Sequence, residues 1–394
     1  MRTVLTAGRL WNRGQFLDQP IVTVEDGRIA SISSRAASEI PRDARQLDYP
    51  DATLAPSYFD VHIHGAAGHD LMEATPKAIG TISRFLASRG TANYFATTVT
   101  APLDATLRAL SELAKWINGM GTPGEDPARG EARIAGIHLE GPFLSHLRRG
   151  VQPAEYLLAP DIATFDQLYD AAEGHVRLMT LAPELPGALE LARHAIARGV
   201  RVSIGHSNAT TAEARAGLAA GAVSATHTFN AMRPFDHREP GIIGVVLSTD
   251  SLFAELICDG IHGAPETARI WWRSKGPEHA ILVTDAMSAA GMPDGTYRLG
   301  NMNVQVACGK ATLGEALAGS VLTLDRGVAN CIAFTGAPLA DVLRAATVNP
   351  ATMVGLGDQI GKLEAGRPAN LVAVDSAGKL IASIVSGTVV PELT

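Results

Sequence analysis

Eight short apolar runs, each closing on polar residues and most followed by a stretch rich in Ala, Leu, Glu and Arg, set the strongest limit on how this chain can fold. The runs cover residues 58–65, 92–100, 133–142, 176–184, 200–208, 222–230, 253–262 and 280–288. Helical patterns at 77–89, 104–117, 185–198, 211–220 and 265–273 fall between most of them. Strands that alternate with helices build a parallel sheet, because each parallel pairing needs a crossover. Eight such units over about 300 residues imply an α/β fold, a (β/α)8 TIM-like barrel.

Both chain ends break this rhythm. Residues 3–11, 21–25 and 28–32 read as strands, with Asp26-Gly27 between the last two as a hairpin signal. Residues 369–374 and 380–390 have the same β-rich character. The expected arrangement is a small discontinuous β-sandwich domain built from both termini, 1–54 plus 357–394. It would surround a barrel domain at 55–356. A β-like insert at about 296–324 precedes a helical stretch at 337–347. Two loops interrupt the pattern, a Gly/Pro-rich one at 119–131 and a long charged one at 233–248.

With 46% hydrophobic and 19% charged residues in 394, the chain can bury a core, which excludes a disordered protein or a coiled coil. Lys+Arg 33 against Asp+Glu 40 leaves a net charge of −7, which argues against nucleic acid or an anionic membrane as a partner. No apolar leader core opens the sequence and no run reaches the roughly 18 apolar residues of a membrane span, so a cytoplasmic protein is expected. Cys258, Cys308 and Cys331 are odd in number and form no C-x-x-C pair. They are expected as three buried thiols, with neither a disulfide framework nor a thiolate metal site.

In such barrels catalytic groups project from the carboxyl ends of the strands. His62 and His64 close the first run, His138 and Glu140 the third, His206 the fifth, His227 the sixth and Asp285 the eighth. Side chains alternate faces along a strand, so His62 and His64 point the same way, as do His138 and Glu140. A lone histidine is usually an ordinary core or surface residue. Five ligand-type residues and an aspartate at the ends of five strands instead point to one or two divalent ions per chain. Nitrogen and carboxylate donors without thiolate suit Zn²⁺ best, with Fe²⁺, Co²⁺ or Mn²⁺ as alternatives. His138, one layer below Glu140, reads as a supporting group. Asp285 could cap a helix, but its place on the barrel rim makes it the candidate general base.

These features resemble the amidohydrolase superfamily. The segments HLEGPF (138–143), GHSNA (205–209), THTFNAM (226–232), REPGIIG (238–244), DGIH (259–262), TDAMSAAG (284–291) and LAGSVLTLD (317–325) narrow the resemblance. Together they look like the N-acetylglucosamine-6-phosphate deacetylase family. The resemblance spans nearly the whole chain. It also includes NPATMVGL (349–356) and GKLEAGRPANLVAVD (361–375), which are widespread in the superfamily.

The resemblance implies a metal-dependent deacetylase acting on a phosphorylated N-acetyl amino sugar. Glu140, His206 and His227 would hold the principal ion, and His62 and His64 a second. Residues 176–184 contain no lysine to bridge two ions, so a bridge would come from Glu140 or water. There is no G-x-x-x-x-G-K-[ST] loop. The resemblance gives phosphate contacts to Asn230 and the backbone of Ala231, and a cationic clamp to Arg238 and His262. One or both of the clamp residues would be lent across a homodimer interface. Backbone around Leu317, Ala318 and Gly319, and near Val151, would touch sugar or lid.

Where the family carries K-G-A-H, this chain has Arg149-Gly150-Val151-Gln152. Gln152 can donate a hydrogen bond to a carbonyl but carries no charge. That leaves the galactosamine epimer or another N-acyl substrate open. Ser57, in APSYFDVHIHG, replaces a common glycine and implies only a backbone adjustment. Another amidohydrolase activity, such as an N-acyl amino acid deacylase, and a non-catalytic scaffold are the remaining alternatives.

Overall fold

The structure is a computed structural model that describes residues 2–40, 43–119 and 130–392. Most of the Gly/Pro-rich loop expected at 119–131, residues 120–129, lies outside the described residues.

All eight expected runs are strands of one parallel sheet. In barrel order they are Tyr58–Ile63, Thr91–Thr97, Arg133–Glu140, Val176–Leu181, Arg201–Ile204, Ser224–Ala225, Phe253–Ile257 and Ala280–Val283. Each pairs in parallel with the next. The seam between the eighth strand and the first is closed by single contacts instead of a ladder. The Asp285 N–H donates to the His62 carbonyl at 2.9 Å and the His64 N–H to the Ala286 carbonyl at 2.8 Å. Below them Asp60, fully buried, accepts the Thr284 hydroxyl at 2.5 Å and the His62 N–H at 3.2 Å. Burial pushes the Asp60 carboxyl up to about 7 against these hydrogen bonds.

The α-helices among the described residues are α1 (Pro76–Ser88), α2 (Leu103–Gly119), α3 (Ile162–Ala171), α4 (Ala188–Ala197), α5 (Thr211–Ala219), α6 (Gly241–Ser248), α7 (Pro265–His279), α8 (Leu324–Thr335), α9 (Leu339–Ala346), which falls in the stretch expected at 337–347, and α10 (Val348–Met353). Non-helical Gly276, followed by Pro277, breaks α7 near its end. Three of these helices correct the sequence reading. The α3 helix starts at Asp161, whose carboxylate caps the Thr164 N–H at 2.7 Å. The charged loop expected at 233–248 stops at Pro240, because Ile242, Ile243, Val245 and Val246 bury one face of α6. Lys275 closes the far end of α6, donating to the carbonyls of Val246 at 3.1 Å and Thr249 at 2.6 Å. The third, α8, follows directly on the insert.

Both termini enter one continuous eight-stranded sheet. Its order is Thr388–Val390, Leu380–Val385, Leu371–Val374, Arg45–Pro56, Arg2–Asn12, Pro20–Glu25 and Arg28–Ser34, with Gln15–Asp18 on Arg2–Asn12. Asp26 (φ 48°) and Gly27 (φ 84°) form the two-residue turn the sequence signals. Arg45–Pro56 pairs with strands from both ends of the chain and runs into the first barrel strand.

The insert is a four-stranded antiparallel sheet, Gly295–Leu299, Met302–Ala307, Lys310–Leu313 and Ala316–Leu317. Its apolar face packs on Val99 and Met287. Asp70 anchors one hairpin by accepting the Gly300 N–H at 2.7 Å. The expectation of three buried thiols fails at Cys308, which is exposed in the turn between two insert strands. Among the described residues no helix is long and apolar enough to cross a membrane.

Removing the seam hydroxyl tests its share in stability. Thr284→Val leaves a buried carboxylate oxygen without its partner and should cost about 1–3 kcal/mol. A lowered thermal midpoint is expected; an unchanged midpoint would contradict this role.

Candidate metal centre

The carboxyl ends of the strands bring six buried polar side chains to one end of the barrel. His62 and Glu140 lie at the ends of the first and third strands. His64, His206, His227 and Asp285 lie just beyond the first, fifth, sixth and eighth. They form two groups, Glu140 with His206 and His227, and His62 with His64 and Asp285. Within each group the donor atoms all lie within 4.8 Å of one another. Glu140 stands between the groups. Its Oε1 is 3.0 Å from His227 Nε2 and 3.2 Å from the Nε2 atoms of His206 and His62. Its Oε2 is 3.3 Å from His64 Nε2.

The outer ring nitrogens decide what the inner ones can do. His206 Nδ1 lies 3.0 Å from the Arg148 carbonyl, His64 Nδ1 3.3 Å from the Thr97 carbonyl, and His62 Nδ1 3.1 Å from Glu255 Oε2. Carbonyl and carboxylate oxygens only accept, so each Nδ1 carries hydrogen and each neutral ring turns the Nε2 lone pair inward. There it meets carboxylate oxygens, including Asp285 Oδ1 at 3.1 Å from His64. Lone pair against carboxylate is repulsive, and a proton or a cation between them removes the conflict.

The pKa shifts express the same demand for positive charge. Burial lowers His64, but Asp285 and Glu140 outweigh it and push the ring up to about 9. His62 is held well above its ordinary value by Glu140 and Asp285, again against burial. Burial would raise Asp285, yet His62 and His64 bring it down to about 2. Glu140 is held well below the carboxylate range by His62 and His206, against its burial. The donor set of four imidazoles and two carboxylates therefore fits divalent ions such as Zn²⁺.

The layer beneath is polar. His138 Nε2 is 2.8 Å from Thr180 Oγ1, and hydroxyl contacts continue through Thr226 to Ser203, each at 2.7 Å. Burial, reinforced by His62, holds His138 well below its usual range, so it stays neutral. The backbone above is strained: His206 (φ 45°), His227 (φ 27°), Ala231 (φ 51°) and Asp285 (φ 48°) are all left-handed. Each such non-glycine residue costs on the order of 1–3 kcal/mol, a pattern that concentrates at functional sites.

A cavity of about 260 Å³ opens over this cluster. His64, Glu140, His206, His227 and Asp285 line it, with Gly150, Val151, Gln152, Asn230, Ala231, His262, Leu317 and Gly319. Ala318 is fully buried behind the lining. Arg238 is exposed on the loop before α6 and does not line the cavity of this chain. His262 Nδ1 lies 2.7 Å from Asp259 Oδ2. That carboxyl stays low despite burial because His262 bonds it. Gln152 is engaged on both sides of its amide. Its Oε1 accepts the Thr100 N–H at 2.9 Å and its Nε2 donates to Glu140 Oε2 at 2.8 Å. One amide hydrogen is left over for another acceptor.

Several site residues were not foreseen. Glu255 supports His62, and Val99, Leu299, Met302 and Ala316 complete the cavity wall. Glu255 left one signal, a lone acidic residue in the apolar strand FAELI.

Fold and site together define a (β/α)8 barrel protein with a candidate divalent-metal site at the carboxyl ends of its strands. The Amidohydrolase family model matches residues 53–390, and the chain belongs to that family. Its relatives narrow the class. It is 36% identical over 372 residues to N-acetylglucosamine-6-phosphate deacetylase of Bacillus subtilis (strain 168), covering 93% of this chain and 92% of the relative. It is 37% identical over 377 residues to N-acetylgalactosamine-6-phosphate deacetylase of Escherichia coli O157:H7, covering 95% and 96%. Among solved structures it resembles a mutant N-acetyl-D-glucosamine-6-phosphate deacetylase from Mycobacterium smegmatis in complex with N-acetyl-D-glucosamine-6-phosphate. The TM-score is 0.90 at 34% identity, with 99% of each chain covered.

Ion uptake should displace protons, because imidazole must be neutral to ligate. At pH 7 His64, with a value near 9, is protonated in the metal-free protein, so affinity should rise with pH until about 9. Adding Zn²⁺ to chelator-stripped protein in weak buffer with a pH dye should release about one proton or more per ion at pH 7. Uptake without proton release would contradict the assignment.

Proposed function

We propose that this chain hydrolyses the N-acetyl amide of N-acetylglucosamine 6-phosphate to glucosamine 6-phosphate and acetate. The observation that carries this reading is a single cavity lined by Glu140, His206 and His227 of one ligand group and by His64 and Asp285 of the other, with Asn230 and His262 also in its lining. The two relatives and the Mycobacterium smegmatis structure supply the substrate class. The cavity volume of about 260 Å³ lies just below the range usual for small-molecule sites, about 300–1,000 Å³.

Glu140, His206 and His227 are assigned as ligands of a principal divalent ion, and His62 and His64 of a second, with zinc as the leading identity. Such an ion acidifies water and polarises the amide carbonyl when bound. Asp285 takes the proton from the attacking water and returns it to the leaving sugar nitrogen. The remaining amide hydrogen of Gln152 is aimed at the acetamide carbonyl. Val151 and backbone around Leu317, Ala318 and Gly319 contact the sugar.

Asn230 and the Ala231 backbone bind the phosphate with His262, whose Nδ1 is occupied by Asp259 so that Nε2 is left for the substrate. Arg238, exposed and outside the lining, is assigned to the phosphate site of a second copy in a homodimer. The chain is read as a small β domain of residues 1–54 and 357–394 around a barrel at 55–356, acting in the cytoplasm in amino-sugar catabolism or cell-wall recycling.

A second reading, the galactosamine epimer, draws on the Escherichia coli relative and on Gln152. Acetate release from both 6-phosphates separates the two by kcat/KM. Against unphosphorylated N-acetylglucosamine, the 6-phosphate should gain at least tenfold, since each hydrogen bond to a charged group contributes about 1.5–3 kcal/mol. Equal rates would remove the phosphate assignment. Asp285→Asn should retain bound ion while kcat falls about 10²–10⁴-fold. Near-normal turnover in that variant would rule out its proton-transfer role.

A further inference from the structure

Glu255 is a buried carboxylate that the proposed reaction leaves unused. It sits in the seventh barrel strand, is fully buried, and belongs to neither ligand group. Its Oε2 contacts both groups from behind. It accepts from His62 Nδ1 at 3.1 Å and from the His227 backbone N–H at 3.1 Å. Its own carbonyl accepts the Thr228 N–H at 2.8 Å, so side chain and main chain together hold the turn that carries His227. That turn needs holding, because His227 has φ 27° and Phe229 φ 80°. The His62 and His227 rings stand 5.4 Å apart, centroid to centroid. Its Oε1 is buried with no hydrogen-bond partner among the described residues, so Glu255 spends its polarity on these two contacts.

We infer that Glu255 is a positioning residue linking the two metal sites: it aims His62 Nε2 into the second site and pins the His227 turn of the principal one. A carboxylate on Nδ1–H fixes the tautomer that presents Nε2 and makes the ring a stronger donor. The two contacts differ in what they need. Orienting His62 as a strong donor needs the negative charge, whereas the His227 N–H needs only an acceptor oxygen. Replacing the carboxylate by an amide therefore separates them. The inference rests on the metal assignment above.

The test uses full-length protein stripped by chelator and titrated with Co²⁺ alone, following its visible absorption and equilibrium dialysis. The unaltered protein should bind two equivalents. In Glu255→Gln the second should weaken about 10–100-fold, the usual effect of losing such a partner. The first should change by less than about threefold, and Glu255→Asp should recover part of the loss. Two equivalents bound by Glu255→Gln with unaltered affinity would overturn the inference while leaving the metal assignment intact. So would equal weakening at both sites with a lower metal-free melting temperature, the mark of a purely structural role. A single equivalent in the unaltered protein removes the second site and the inference with it; none removes the metal assignment as well.

Should Glu255→Gln fail to fold, ¹⁵N-histidine spectra of the zinc-loaded unaltered protein, with His62→Asn for assignment, decide the matter. Nδ1–H on His62 with Nε2 ligated is expected; ligation through Nδ1 overturns the inference.

Discussion

Three imidazole lone pairs turned toward two carboxylates form the conflict around which the upper barrel is organised. His62, His64 and His206 cannot relieve it by switching tautomer, because Glu255, the Thr97 carbonyl and the Arg148 carbonyl each occupy an Nδ1–H. Glu140 and Asp285 cannot relieve it by swinging away. Glu140 is held by Gln152, and the Asp285 backbone is locked to the His62 carbonyl across the seam. Positive charge at the centre is the remaining solution. The raised histidines and lowered carboxyls express that demand within the protein itself.

The scaffold is arranged to hold that conflict still. Asp60 and Thr284 tie the first and eighth strands just below His62 and Asp285, where the sheet has no ladder of its own. His138, Thr180, Thr226 and Ser203 form a connected chain of polar contacts across the interior beneath the site. Above, the insert contributes Leu299, Met302, Ala316 and Leu317 to the cavity wall.

Much of this was legible in the residues. The eight runs gave strand positions because a parallel strand buried on both faces reads as a short apolar block. The candidate ligands stood out because histidines at the ends of such blocks have no packing reason to be there. The helices that escaped had weak local signals. The α6 segment GIIGVVLS is apolar all round, as a helix buried by its neighbours can be, and α3 depends on one aspartate cap. Glu255 and Asp60 escaped because their value lies in partners 193 and 224 positions away, which no local pattern encodes. For the same reason Gln152 read as a substrate contact alone, although its amide also ties Glu140 to the backbone of Thr100.

If this histidine and carboxylate cluster is a metal centre, the hydrolytic chemistry proposed above follows from it. Anomalous diffraction at the zinc edge from Zn²⁺-soaked crystals of the full chain tests it directly. A peak is expected among Glu140, His206 and His227, with a second beside His62 and His64. No anomalous density in the cluster, with zinc bound elsewhere on the protein, would contradict it.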